Sequence, residues 1–205
     1  MKQVILIENR TDRQKHYLPN QEADVDTLNA LSFLKNSIGD DCKKNLKQID
    51  ENDLTFLSPY DLIIIHRSAL AELPSGNATV RISNYASKSN KDLILYSGAI
   101  TNFYYSETNG KYLLISSKDF YSNNLIPFLY SYANGNSKAL VEMVFGHNWK
   151  LNYYLKFREL LLNISTEENG TWSNQKDEIE DILPELKKIN LETLNQLIFS
   201  SIQSI

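Results

Sequence analysis

Tyr60-Asp61-Leu62-Ile63-Ile64-Ile65-His66-Arg67-Ser68 sets four consecutive branched aliphatic residues between an acidic lead-in and a polar exit. A short apolar run without polar alternation predicts a strand covered on both faces, as in the middle of a parallel sheet. Three further runs read the same way: Gln3-Val4-Ile5-Leu6-Ile7, Leu93-Ile94-Leu95-Tyr96 and Tyr112-Leu113-Leu114-Ile115. Each ends in polar residues, namely Glu8-Asn9, His66-Arg67, Ser97-Gly98 and Ser116-Ser117-Lys118. In a parallel sheet these endings gather at the carboxyl edge, which is where open α/β sheets bind ligands.

Helical periodicity lies between the runs. Residues 22–35 space Val25, Leu28, Leu31 and Phe33 or Leu34 near a 3.6-residue period, which predicts one crossover helix. Residues 77–88 and 124–133 predict two more. A further strand is expected within residues 44–49, and a clipped helix at 53–57 before Pro59. The Ala99–Tyr105 stretch reads as either a short helix or an extended edge segment, and Thr108-Asn109-Gly110 as a turn. Alternating strands and helices imply right-handed crossovers and a doubly wound α/β sheet.

After the polar linker Ala133-Asn134-Gly135-Asn136-Ser137 the pattern becomes wholly helical. Helices are expected over 138–146, 148–163 and 191–202, with an acidic amphipathic segment from Ser173 to Lys188 interrupted at Pro184.

Composition excludes several classes. Twenty-one basic and 25 acidic residues leave a net charge of -4, so the chain has no bulk attraction for nucleic acid. Within residues 167–185 of the tail, Glu167, Glu168, Asp177, Glu178, Glu180, Asp181 and Glu185 stand against Lys176 alone, which argues against a DNA-binding helix-turn-helix. No stretch approaches the roughly 20 apolar residues of a membrane span, and Glu8 and Arg10 cut the first apolar run too short for a secretory signal. A cytoplasmic protein is the expectation. Cys42 is the only cysteine; it forms no intramolecular disulfide and reads as an apolar filler. His16 and His147 lack ligand-spaced partners, and Glu8-Asn9-Arg10-Thr11-Asp12-Arg13 contains no glycine to form a phosphate loop.

The strand-end residues carry a resemblance. Residues 1–134 resemble the receiver domain of two-component response regulators. That family places an acidic pair after strand one, an acceptor aspartate at the end of strand three, a Ser or Thr after strand four and a Lys after strand five. Here the acidic pair falls on Glu8 and Asn9, the acceptor on His66, the hydroxyl on Ser97 and the lysine on Lys118. The resemblance implies a flavodoxin-like, doubly wound parallel sheet of five strands in the order 2-1-3-4-5, with an all-helical extension over 137–205.

The departures bear on function. An aspartyl phosphate needs a carboxylate nucleophile and a Mg²⁺ ion held by hard oxygen ligands. His66 and Asn9 remove two carboxylates, Asp119 stands where a proline commonly follows the lysine, and Ile115 occupies the place of a switch aromatic. The residues predict a degenerate pocket of Glu8, Asn9, His66, Ser97 and Lys118 with no catalytic role, no metal and no cofactor. In it Lys118 pairs with Glu8, and His66 is a strand-end residue bonded to Glu8 or Ser97.

The function this implies is a non-catalytic pseudo-receiver that acts in signalling through protein contacts and is not an enzyme. Its partner would be a signalling protein or a second copy in a homodimer, with Tyr104 and Tyr105 as candidate contact residues. An alternative is a phosphoryl- or small-ligand-binding protein using Glu8, His66, Ser97 and Lys118.

Overall fold

The computed structural model describes the chain except residues 102, 108, 109, 123, 147, 165–175, 178, 182, 204 and 205, and the backbone alone of Ile164. It forms two compact units, Met1–Tyr105 with Asn109–Met143, and Ser106–Thr108 with Val144–Ile205.

The first unit is an α/β sheet. Its strands are β1 (Val4–Ile7), β2 (Leu34–Ser37), β3 (Leu62–His66), β4 (Asp92–Ser97), β5 (Tyr104–Ser106) and β6 (Tyr112–Ser116). They lie in the order β2-β1-β3-β4-β6-β5. The pairs β1–β2, β1–β3, β3–β4 and β4–β6 are all parallel. The expected five-strand order therefore needs correction: a sixth strand, β5, occupies the edge. Leaving β5 out, the remaining strands follow the expected order. Of the stretch 99–105, read as a short helix or an extended edge segment, only Tyr104 and Tyr105 are strand, as the start of β5, and residue 102 lies outside the described residues.

Strand alternation builds two apolar layers. Ile5, Ile7, Ile63, Ile65, Leu93 and Leu95 face helices α3 (Gly39–Asp50), α4 (Arg67–Ala71) and α5 (Ala78–Lys88), which contribute Cys42, Ile49, Leu70, Ala78, Ile82 and Ala86. The intervening residues Val4, Leu6, Ile64, Ile94 and Tyr96 are equally buried on the other face. This double coverage is why these strands read as continuous apolar runs. The remaining helices of this unit are α1 (Thr11–Tyr17), α2 (Glu22–Ala30), α6 (Ser117–Phe120) and α7 (Leu125–Ala133), followed by α8 (Ala139–Phe145), which runs across the division between the units.

Two local expectations fail for physical reasons. The helix expected over 22–35 stops at Ala30, because Leu31 turns extended and Phe33–Leu34 enters the sheet. Val4 N–H donates to Phe33 O at 2.9 Å and Leu34 pairs with Val4. The strand expected within 44–49 is part of α3. Cys42, Leu46 and Ile49 recur at spacings of four and three, so they turn one helical face to the core. The clipped helix is the 3-10 turn Thr55–Leu57. Gly110, in the expected turn, has φ of +83°, and a Cβ there would meet Lys91 O at 2.8 Å, so the position requires glycine.

The second unit holds α9 (Trp149–Ile164) and α10 (Leu191–Gln203), which pack against each other. Tyr153, Phe157 and Leu160 of α9 and Leu194 and Ile198 of α10 are buried. Pro184 opens a 3-10 turn, Pro184–Lys188, at the expected interruption. Ser173, the expected cap of the acidic segment, lies outside the described residues.

Candidate functional site

The carboxyl edge is assembled by register. Ile7 pairs with Ile65, His66 with Tyr96, and Ser97 with Ser116. Glu8 N–H donates to Ser37 O at 3.0 Å, which prolongs the β1 ladder by one residue. Alternation then puts Glu8, His66 and Tyr96 on one face of the sheet.

Glu8 is fully buried. Its Oε1 accepts from Arg10 N–H at 2.9 Å and from the Arg13 guanidinium at 2.5 Å. Its Oε2 accepts from the phenols of Tyr96 at 2.9 Å and Tyr121 at 3.0 Å. The two phenol oxygens lie 3.0 Å apart, so both hydroxyls converge on a single carboxylate oxygen. α1 delivers Arg13, and the same helix is tied to β2 by reciprocal amide bonds between Gln14 and Asn36 at 2.9 and 3.1 Å. Burial pushes the phenol of Tyr96 well above its ordinary pKa, with Tyr121 and Glu8 adding to the effect. Burial and then Glu8 do the same for Tyr121. Both phenols therefore stay protonated and serve as permanent donors.

Aromatic rings fill the remaining space. Tyr96 stacks on Phe120 with centroids 4.3 Å apart and meets Tyr121 edge-on at 5.5 Å. His66 meets Tyr96 edge-on at 5.0 Å. His66 is 4% exposed, and its Nδ1 accepts from Ser68 N–H at 3.3 Å and lies 2.7 Å from Ser68 Oγ. The imidazole is thus the N-cap of α4. Burial, followed by the charges of Arg13 and Arg10, lowers its pKa to about 4. The ring is neutral at pH 7, and Nδ1, as an acceptor, carries no proton.

Of the residues read at strand ends, only part converge. Glu8 and His66 share the face just described. Asn9 Oδ1 lies 3.5 Å from the Arg13 guanidinium that binds Glu8. Ser97 accepts weakly from Ala99 N–H at 3.4 Å. The register partner of Ser97 is Ser116, which caps α6 by accepting from Asp119 N–H at 3.0 Å. Lys118 sits two residues beyond the strand, exposed on α6. Among the described residues Lys118 makes no ion pair with Glu8; Arg13 takes that place. His66 likewise bonds Ser68 rather than Glu8 or Ser97. Tyr104 is exposed on β5, whereas Tyr105 is buried.

Arg13, Tyr96 and Tyr121 escaped the sequence reading. One signal was available for Tyr96: it directly precedes Ser97, and by alternation shares the face of Glu8 and His66. Arg13 and Tyr121 come from helical segments whose approach to Glu8 depends on packing.

The chemistry of this cluster is closed. Both oxygens of Glu8 already accept two hydrogen bonds each, which leaves no free lone pairs for a hard cation. No group of three His, Cys, Asp or Glu among the described residues is arranged to hold a metal ion. No helix among them is long and apolar enough to cross a membrane. Compared with protein-family models, curated proteins and solved structures, the chain matches none.

Proposed function

We infer that the chain is a pseudo-receiver: a receiver-like α/β scaffold that does not take up phosphate and works in signalling through protein contacts. The carrying observation is the filled pocket. Glu8, the one carboxylate retained at the acidic pair, is buried and bonded by Arg10, Arg13, Tyr96 and Tyr121. A guanidinium and two neutral phenols occupy the surroundings where Mg²⁺ and a phosphoryl group would have to enter. The order of the strands other than β5 supports the flavodoxin-like, receiver-type reading.

The ligand-binding alternative draws less support, because Ser97 and Lys118 do not join Glu8 and His66: Ser97 bonds Ala99 N–H and Lys118 is exposed on α6. On this reading the chain is not an enzyme and needs no cofactor. Its net charge of -4 favours protein partners over nucleic acid.

Incubation with acetyl phosphate and Mg²⁺, followed by intact-mass measurement, tests the pocket. The expected result is an unmodified chain. An acid-labile phosphoryl adduct would overturn the reading.

A further inference from the structure

We propose that α1 is a polar strap that opens as a unit and, by withdrawing Arg13, uncovers the Glu8 cluster. The inference starts from the composition of α1. Thr11-Asp12-Arg13-Gln14-Lys15-His16-Tyr17 contains no aliphatic residue, and of these seven only Gln14 is buried. A helix this short is not stable in water by itself, and the packing of an apolar face normally holds such a segment in place. α1 has no such face.

Polar contacts hold it instead. Arg13 pairs with Oε1 of Glu8 at 2.5 Å. Gln14 and Asn36 exchange amide bonds at 2.9 and 3.1 Å. Tyr17, half-buried, lies parallel to the ring of Tyr121 with centroids 6.3 Å apart. Thr11, Asp12, Lys15 and His16 are exposed. The apolar anchor, buried Leu18, comes only after the helix has ended. Segments with few buried apolar contacts open at a lower free energy than the core.

The exit from α1 is strained. Gln21, between α1 and α2, has φ of +47° and ψ of −111°, which lies outside the left-handed helical region as well as the right-handed one. The other described non-glycine residues with positive φ are Asn52 and Asn90, a type that tolerates left-handed backbone. A conformation such as that of Gln21 persists where the surroundings impose it. Here the latch to Glu8 and Asn36 fixes the chain on one side, and α2, anchored by buried Leu28, fixes it on the other. Release of α1 relieves Gln21, so the strain favours the open form.

In the open form Glu8 has lost its guanidinium and Tyr121 the cover of Tyr17. The carboxyl edge then offers a carboxylate and an aromatic face. This rests on the reading of the chain as a contact module, for which the strap sets when that edge is available. The two fail separately. A strap that opens only with the whole domain would leave the filled pocket intact, whereas a phosphoryl adduct would overturn the pocket reading and leave the strap.

Two readouts on the full chain provide the test: native-state hydrogen exchange followed by NMR, and modification of Arg13 by phenylglyoxal followed by mass spectrometry. The amides of Lys15, His16, Tyr17 and Leu18 are expected to share one opening. It should be at least about a hundredfold more frequent than that of Ile63, Ile64 and Ile65 in β3, and insensitive to low urea. Gln14→Ala separates a latch from a frayed helix. Alanine raises helix propensity, so fraying would slow exchange, whereas loss of the amide pair should speed both readouts by at least about fivefold. Gln21→Gly removes the strain and should slow both by at least about threefold. Arg67, exposed on α4, should react alike in all three chains. Amides of α1 that exchange only together with β3, a Gln14→Ala chain no faster than wild type, or a Gln21→Gly chain no slower, would overturn the proposal.

Discussion

Tyr96 donates its phenol proton to Oε2 of Glu8 at 2.9 Å, joining residues 88 positions apart in the chain. The bond lies in the interior, where an unpaired carboxylate would be costly. Arg13 supplies the opposite charge and Tyr121 a second phenol. Removing the carboxylate would leave a largely buried guanidinium without its counter-charge and two phenols with only each other's oxygen, 3.0 Å away, to accept a proton. Glu8→Ala is therefore expected to cost about 3–5 kcal/mol of stability and Tyr96→Phe about 1–3 kcal/mol, read from urea unfolding. A Glu8→Ala chain within about 1 kcal/mol of wild type would show that the cluster is not a structural unit.

Lys118 provides the contrast. Its side chain is exposed on α6, and among the described residues it is not an ion-pair partner of Glu8. Lys118→Ala should leave stability within about 0.5 kcal/mol of wild type. A loss comparable to that from Glu8→Ala would put Lys118 back in the cluster.

His66 makes stability depend on pH. Its pKa is lowered from the usual 6.5 to about 4 by burial and by Arg13 and Arg10. Between those values the unfolded chain binds the proton and the native chain does not. The contribution of the neutral ring is thus fully present above pH 6.5, declines as pH falls, and is gone below about pH 4. Its size is on the order of 3 kcal/mol. His66→Asn keeps a side chain able to cap α4 and removes the titration. Comparing urea midpoints at pH 7 and 4.5, the wild type should lose more stability than the variant. Equal losses would mean that the imidazole is not held neutral.

Cys42 should be inert in the native protein. It is 1% exposed in the core beneath β1 and β3. Burial, with Glu8 adding to it, pushes its thiol to about 11. Only thiolate reacts, so alkylation by iodoacetamide at pH 8 should run at least about a hundredfold slower in native buffer than in urea. Comparable rates would show that α3 opens readily.

The parallel sheet was legible because its evidence is local. Val4–Ile7, Leu62–Ile65 and Leu93–Tyr96 are buried on both faces, and double burial writes itself into consecutive apolar residues. β2 was not legible. Leu34-Lys35-Asn36-Ser37 pairs with β1 alone and holds a single apolar residue, so its place in the sheet depends on the ladder it completes. β5, three residues long at the opposite edge, was visible only as one of two readings.

The site divides in the same way. Residues at strand ends announce Glu8 and His66, because each directly follows or closes an apolar run. That fixes which groups stand at the carboxyl edge. Whether the edge is open or filled depends on Tyr96 and Tyr121, which reach Glu8 across 88 and 113 residues, and on the face from which α1 presents Arg13. Apolar periodicity records which residues are buried, since burial is a property of each position. Which donors a buried carboxylate finds is a property of the packed chain, set by strand register and helix docking.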